Sequence, residues 1–138
     1  VVMREGLIEQ VGTPDEVYDT PASRFAFEFI GDSNCLDSEV RGGCVLFEGE
    51  CLDLPRSDRP DGPAVLGFRP HHVVRSESAG GRLTGTIVSS RRTGGWRRLE
   101  LEVGRGRHRV VADLPDDGSA PRRGTVHLLP ERFLLFDA

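Results

Sequence analysis

The chain has 138 residues, of which 37% are hydrophobic, and its formal net charge is -4. This length suits one small core of ~100 residues plus a shorter segment, and no apolar run approaches ~20 residues, which excludes a membrane-spanning helix. The charge is uneven, because residues 1–68 hold 5 Arg and 14 acidic residues whereas residues 69–138 hold 13 Arg and 8 acidic residues, so we expect the two halves to face different surroundings.

Residues 1–34 carry the densest local signals of the chain. Apolar residues at 1–3 and at 7, 8 and 11 flank the turn sequence Arg4-Glu5-Gly6, whose glycine can take a positive φ, and this pattern predicts a short hairpin. Thr13-Pro14-Asp15-Glu16 then predicts a helix start. The Thr13 hydroxyl can cap the Glu16 amide while the Glu16 carboxylate reaches back to the Thr13 amide.

A second helix is predicted after Thr20-Pro21, which repeats the cap-plus-proline opening, and Gly31 ends it. Its apolar residues recur at helical spacing on one side. Four of them form a candidate self-association surface, named the helix face hereafter: Phe25, Ala26, Phe29 and Ile30. Isolated helices shorter than ~12–15 residues are marginal in water, so we expect this segment to belong to a longer polypeptide.

From residue 35 onward the sequence predicts short strands without helices. Residues 44–47 and 51–54 flank the turn Glu48-Gly49-Glu50 and predict a hairpin, and residues 64–69 form a buried strand that Pro70 ends.

The Arg-rich half predicts a long hairpin and then further strands. Residues 82–88 and 96–103 alternate apolar and polar side chains on either side of a turn, so that one face of the hairpin is wet. Strands are also predicted at 108–112, 125–129 and 133–136. This spacing indicates a small barrel or sandwich. We therefore predict a mainly β fold built on a five-stranded oligonucleotide-binding-type (OB-like) barrel, with the strands of 35–75 as a partial second one.

Two stretches resemble a known family. EGLIEQVGTPDEVYDTPASRFAFEFIG is similar to the end of the nucleotide-binding domain in ATP-binding-cassette (ABC) import ATPases for sulfate, molybdate, sugars, iron and polyamines. GFRPHHVV, followed by RLTGTIVSSRRTGGWRRLELEVG and by RFLLF, resembles the C-terminal regulatory region, known as TOBE, of the sulfate-type subgroup. The resemblance implies a boundary: residues 1–34 end a nucleotide-binding domain, and residues 35–138 form an OB/TOBE-like regulatory domain.

The same resemblance implies a setting for the parent protein. It would be a transport ATPase that binds ATP and magnesium, contacts transmembrane permease subunits, and lies on the cytoplasmic face of the inner membrane. The resemblance also implies a homodimer paired through the regulatory regions, and it favours an anion such as sulfate as the transported solute. In this family Arg69-Pro70-His71 matches a motif that helps to build the regulatory fold.

Catalysis is not expected from these 138 residues. A cassette ATPase needs a GxxxxGK(S/T) loop, an acidic strand end and a histidine switch, and this sequence contains no lysine and no such loop. We therefore predict no catalytic site and no cofactor in this part of the chain.

The cysteines and histidines predict no metal site. Cys35, Cys44 and Cys51 match neither CxxC nor a paired metal knuckle, and the four histidines are not grouped. We expect three reduced cysteines on strands in a reducing cytoplasm. His71 and His72, as strand neighbours, are expected to point apart.

Two sites of interaction remain as hypotheses. At the hairpin tip Arg91-Arg92-Thr93-Gly94-Gly95, backbone amides around the glycines and two guanidiniums could hold a regulatory oxyanion, although a solvated turn is the simpler interpretation. The alternative function is an OB-type nucleic-acid-binding module, but such a module needs aromatic residues among its arginines and only Trp96 is available, so no nucleic acid is expected. It is prompted by a group of arginines: Arg91, Arg92, Arg97, Arg98, Arg105, Arg107 and Arg109. A stand-alone enzyme is disfavoured, because no nucleophile–base pair is visible.

Overall fold

The computed structural model describes residues 1–138, apart from the side chain of Glu9. The chain begins with β1 (Val2–Arg4), β2 (Leu7–Gln10), α1 (Pro14–Asp19) and α2 (Arg24–Ile30). Ten strands follow: β3 (Asn34–Arg41), β4 (Cys44–Phe47), β5 (Glu50–Cys51), β6 (Gly62–Phe68), β7 (Val73–Ser76), β8 (Leu83–Thr93), β9 (Trp96–Val103), β10 (His108–Pro115), β11 (Thr125–Pro130) and β12 (Leu134–Asp137). Neither described helix, at 6 and 7 residues, has the length or apolar character of a membrane span.

The first hairpin forms as predicted, and so does the Thr13 hydroxyl half of the predicted capping box. β1 and β2 pair antiparallel, and their turn places Glu5 at φ 51 and Gly6 at φ 78, the left-handed pair that a two-residue hairpin turn requires. The Glu16 amide donates to the Thr13 hydroxyl at 3.2 Å and Pro14 opens α1.

The second helix starts later than the sequence predicted. Ser23 is the N-cap of α2, and its hydroxyl accepts a hydrogen bond from the Ala26 amide at 3.2 Å. Thr20 instead ends α1, where its hydroxyl donates to the Glu16 carbonyl at 2.9 Å. The Thr20-Pro21 prediction was wrong because Thr20 is already engaged by the preceding helix, whereas Gly31 ends α2 as predicted.

The helix face is divided by the fold. Ala26 is fully buried against Val2 and Val17, whereas Phe29 is 61% exposed, so these two residues do not share one open surface. Phe27, which the predicted face omitted, is 2% exposed and packs on Phe136 of β12 with ring centroids 5.4 Å apart. This correction has a simple cause: α2 lies between the hairpin unit and the β domain and buries residues towards both.

Two five-stranded antiparallel sheets make up the β domain. The first has the order β10-β9-β8-β11-β7 and the second the order β12-β6-β3-β4-β5. The edges of the first sheet approach one another, and the Asp113 amide of β10 donates to the Pro70 carbonyl just before β7 at 2.9 Å. The fold is mainly β and OB-like, as predicted. Two strands belong to the other sheet than the sequence predicted: β7 pairs within the barrel sheet, and the C-terminal β12 pairs within the second sheet.

One hydrophobic core lies between the two sheets. Leu99, Leu101 and Val103 alternate inward with 0%, 0% and 1% exposure, which confirms the predicted wet-faced hairpin. Residues from the second sheet, among them Leu66 and Phe68, close the same core. Because both sheets bury their inner faces in one cluster, neither is a separate domain.

A carboxylate ties a turn of one sheet to a turn of the other. Glu48, between β4 and β5, accepts hydrogen bonds from the amides of Arg105 at 2.7 Å and Gly106 at 2.9 Å, between β9 and β10. These amides, Gly106 first, lower the pKa of Glu48 from its ordinary value, and the charges of Arg105 and His108 act in the same direction while burial opposes them.

The cysteine and histidine predictions both need correction. Cys44 and Cys51 form a disulfide across the β4–β5 hairpin, with Cα atoms 6.0 Å apart, because the hairpin folds residues seven apart in sequence onto each other. Cys35 is free, and burial, with the nearby Glu28 as a second cause, raises its pKa to about 11. His71 and His72 do not point apart: they lie in a turn after Pro70, with ring centroids 4.1 Å apart.

Candidate functional site

The helices meet the second sheet at Arg69, the first residue of the predicted family motif. Its side chain is 3% exposed. Nη1 donates to three main-chain carbonyls at the end of α2 and just beyond it: Phe27 at 2.9 Å, Asp32 at 3.0 Å and Gly31 at 3.3 Å. A cation placed at the carbonyl end of a helix satisfies orphan acceptors and favours the helix dipole. Arg69 therefore anchors α2 to the β domain.

Aromatic rings enclose the same guanidinium. Its Cζ atom lies 4.0 Å from the ring centroid of Phe27 and 4.4 Å from that of Tyr18, within the range of cation–π attraction. Burial lowers the pKa of Arg69 from its ordinary value, and this is the largest effect on it, opposed by Tyr18, Cys35 and Asp32. The rings and carbonyls thus replace part of the hydration that this cation has lost.

A second arginine holds the segment that follows α2. Arg98 of β9 makes a bidentate pair with Asp113 of β10, with both distances 2.8 Å, and its Nη1 reaches Asp32 at 2.9 Å. The hydrogen bonds that Arg98 donates to Asp113 are the main reason that the pKa of Arg98 is raised. The Asn34 side chain then bonds both the amide and the carbonyl of Val111, at 2.9 and 2.8 Å.

We call this arrangement the junction: Asp32, Asn34, Arg69, Arg98 and Asp113. The structural role predicted for Arg69-Pro70-His71 stays a prediction; the Pro70 carbonyl lies two residues beyond the end of β6 and accepts a hydrogen bond from the Asp113 amide. His71 is exposed and takes no part in this network. Sequence reasoning missed Asn34 and the strand that begins there, as well as the role of Arg98, because their partners lie up to 77 residues away.

Arg91 and Arg92 lie in regular strand at the hairpin tip, whereas the oxyanion hypothesis needs both guanidiniums on one face. Arg91 and Arg92 are consecutive ladder residues opposite Arg98 and Arg97, so their side chains leave opposite faces of β8. Arg92 also pairs with Asp116 at 3.1 Å. An oxyanion at this tip would have to displace that carboxylate, and the site stays a prediction.

The arginines that prompted the nucleic-acid alternative are mostly paired. Arg97 shares Asp116 with Arg92, Arg107 contacts Glu102 at 2.6 Å, and Arg109 contacts Glu100 at 3.3 Å. Such exposed pairs offset part of the positive charge on which phosphate binding depends. Among the side chains that the structure describes, no three His, Cys, Asp or Glu groups gather as metal ligands.

Comparisons with known proteins agree with this architecture. No family model matches the chain. The sulfate/thiosulfate import ATP-binding protein CysA of Brucella melitensis is 45% identical over 138 residues, which is 100% of this chain and 38% of that protein. The corresponding CysA 1 of Rhizobium meliloti is 44% identical over 137 residues, covering 99% of this chain and 40% of its own length. The chain thus spans about two fifths of these relatives.

A solved structure shares the fold. The cytoplasmic molybdate-binding protein ModG, with molybdate bound, superimposes with a TM-score of 0.52 at 15% identity and covers 76% of this chain and 96% of its own. At that identity the likeness shows the fold alone. The class of this protein is therefore an OB/TOBE-like β domain, preceded in sequence by a hairpin and two helices that pack against it. Over its whole length the chain is similar to the C-terminal part of the ATP-binding subunits of sulfate/thiosulfate ABC importers.

Proposed function

We propose that this chain is the regulatory and dimerisation part of an ABC importer ATP-binding subunit, and that the transported solute is sulfate or thiosulfate. The observation that carries the proposal is 45% identity over all 138 residues, which includes the hairpin, both helices and the β domain. In this proposal ATP and magnesium bind to the parent subunit upstream, and the parent contacts transmembrane permease subunits on the cytoplasmic face of the membrane.

The junction supports a regulatory role because it couples the helices mechanically to the sheets. Moving α2 away from β6 would break three hydrogen bonds from a guanidinium that is 3% exposed and would uncover Phe27. Buried charges that lose their partners are costly, so the helices and the β domain are expected to move as one body. A displacement of the helices that begins in the nucleotide-binding domain of the parent would then move the β domain with them.

The test begins with the gene. Reading about 230 codons upstream of Val1 should reveal a phosphate-binding loop with its lysine and a histidine switch. Their absence would refute the assignment. The full-length subunit should then restore uptake of radiolabelled sulfate in a strain that lacks its own ATP-binding subunit, and uptake of molybdate but not sulfate would refute the proposed solute.

A matched pair of variants tests the coupling. Arg69→Met in the full-length subunit should lower sulfate uptake while the nucleotide-binding domain still hydrolyses ATP. Arg41→Met is the control, because Arg41 is exposed and makes only a surface ion pair with Glu39. Equal uptake by the two variants would show that the junction does not transmit regulation.

Self-association of the chain is a further part of the proposal, and it rests on exposed apolar side chains. Large apolar side chains with more than half of their surface exposed cluster in the first thirty residues: Val1, Met3, Leu7, Ile8, Val11 and Phe29. Exposed apolar patches of this kind mark contact surfaces. In the isolated chain a second copy would cover them, and Phe29→Ser with Ile8→Ser should convert a dimer to a monomer in light scattering. A wild-type monomer at high concentration would contradict the proposal.

A regulatory oxyanion at the hairpin tip is the remaining proposal. Trp96, which is 45% exposed, stands opposite Thr93 and reports on the tip by its fluorescence. Sulfate or molybdate should produce a saturable change that the double substitution of Arg91 and Arg92 by alanine abolishes. A change that survives this double substitution, or no change in the wild type, would leave a solvated turn as the better account.

A further inference from the structure

A disulfide lies at one edge of the second sheet. Cys44 of β4 and Cys51 of β5 form it, and β5 is an edge strand of two residues, both of them exposed. The ladder between β4 and β5 consists of Leu46 opposite Cys51 and Phe47 opposite Glu50. Because this ladder is so short, the covalent bridge is a principal restraint on β5.

The bridge is open to small molecules. Cys51 is exposed and Cys44 is half-buried, and both line a surface cleft of about 390 Å³. Arg56 lines the same cleft, and among the described side chains the one acid in its lining, Asp53, lies 3.8 Å from Arg82. A guanidinium favours a thiolate over a thiol. Exposed disulfides are the labile ones, whereas structural disulfides resist reduction by glutathione.

The bridged hairpin also fastens the two sheets together. Its turn holds Glu48, whose carboxylate accepts the amides of Arg105 at 2.7 Å and Gly106 at 2.9 Å. Glu48 takes φ 49, in the left-handed region that favours glycine, so this turn needs its surroundings to hold it. Just beyond β5, the Asp53 amide donates to the Gly81 carbonyl at 2.8 Å. The bridge encloses the Glu48 turn, so opening it would loosen the contact of that turn with the first sheet.

We propose that the Cys44–Cys51 bridge is a reversible modification site for a small thiol of the glutathione class, and that opening it loosens the contact between the two sheets. The thiolate of the small molecule attacks Sγ of Cys51, forms a mixed disulfide there and expels Cys44 as a thiolate. A second thiolate attacks the small-molecule sulfur of this mixed disulfide and expels Cys51 as a thiolate. The two cysteines take up two protons and the bridge gains two electrons, while two small thiols become one disulfide.

The experiment equilibrates the full 138-residue chain in mixtures of reduced and oxidised glutathione. Free thiols are trapped with N-ethylmaleimide and located by mass spectrometry. Cys44 and Cys51 should open and close together, and the bridged fraction should fall from about nine tenths to about one tenth over roughly a hundredfold rise in the squared reduced-to-oxidised glutathione ratio. A bridge that stays closed in excess reduced glutathione, or that never forms in excess oxidised glutathione, would overturn the proposal.

A substitution places the reaction on one sulfur. In Cys44→Ser, Cys51 has no partner to expel glutathione, so oxidised glutathione should leave a mixed disulfide at residue 51. Cys35 is the internal control, because it is half-buried and burial raises its pKa to about 11, and it should stay unmodified. Equal modification of Cys35 and Cys51 would overturn the proposal, since it would indicate reaction with any thiol. If Cys44→Ser fails to fold, the wild-type equilibrium carries the test.

Amide proton resonances measure the effect on the sheets. The carboxylate of Glu48 moves the Arg105 and Gly106 amide protons downfield, so reduction should move both upfield, towards their positions in Glu48→Ala. The control is the Val111 amide, which donates to the Asn34 side chain at 2.9 Å and should keep its resonance. Arg105 and Gly106 resonances that are identical in the bridged and reduced chains would overturn the coupling.

Discussion

Reducing the Cys44–Cys51 disulfide should destabilise the β domain by an amount that can be worked out from its position. The bridge closes a loop with a sequence separation of 7, and the chain-entropy relation for about eight residues gives ~2.5 kcal/mol. A domain of 138 residues has an unfolding entropy of ~0.29 kcal/mol/K, so its Tm should fall by about 9 °C. The hairpin also carries Glu48, so its loosening should affect the contact with the Arg105–Gly106 turn.

Differential scanning calorimetry with and without a phosphine reductant measures this difference. The Cys44→Ser, Cys51→Ser double variant should melt at the temperature of the reduced wild type and should not respond to the reductant. Cys35→Ser is the matched control, since Cys35 is free, and it should keep the full response. A wild-type Tm that changes by less than about 2 °C on reduction would refute the reasoning, because the bridge would then constrain nothing in the unfolded chain.

Three further predictions follow from the fold. Gly67→Ala should cost about 1–3 kcal/mol in urea unfolding, because an added Cβ would lie 2.8 Å from the Phe136 ring and 3.0 Å from the Phe27 ring. Gly95→Ala is the control, because its added Cβ would meet no atom within 4 Å and its φ is not positive, and equal costs would be evidence against tight packing of α2. The folded-state pKa of Glu48 lies below its ordinary value of 4.5, so the stability from its contact with the Arg105 and Gly106 amides is complete above pH 4.5 and is lost as the pH falls through the folded-state pKa. Glu48→Gln should therefore flatten the plot of unfolding free energy against pH in that range, and an unchanged slope would rule out this contact as the source. The 138-residue chain should bind no ATP tighter than about millimolar in calorimetry, since it lacks a phosphate-binding loop, and a tighter complex would contradict the sequence argument.

Local sequence signals determine much of the secondary structure of this protein. The Glu5-Gly6 turn, the Thr13 cap and the inward alternation of Leu99 and Leu101 depend on neighbours within a few residues, so the sequence alone determined the hairpins, the first helix start and the predominance of β structure. The absence of a phosphate-binding loop from these 138 residues is likewise readable directly.

Only the tertiary structure decided which elements meet. The exchange of β7 and β12 between the sheets depends on strand register, which short-range patterns do not encode. The Cys44–Cys51 bridge and the burial of Phe27 depend on how the hairpin and α2 are placed. The surroundings of the Arg69 guanidinium are decided in the same way, because its Nη1 bonds and ring contacts come from residues 37 to 51 positions earlier, and only folding brings them together.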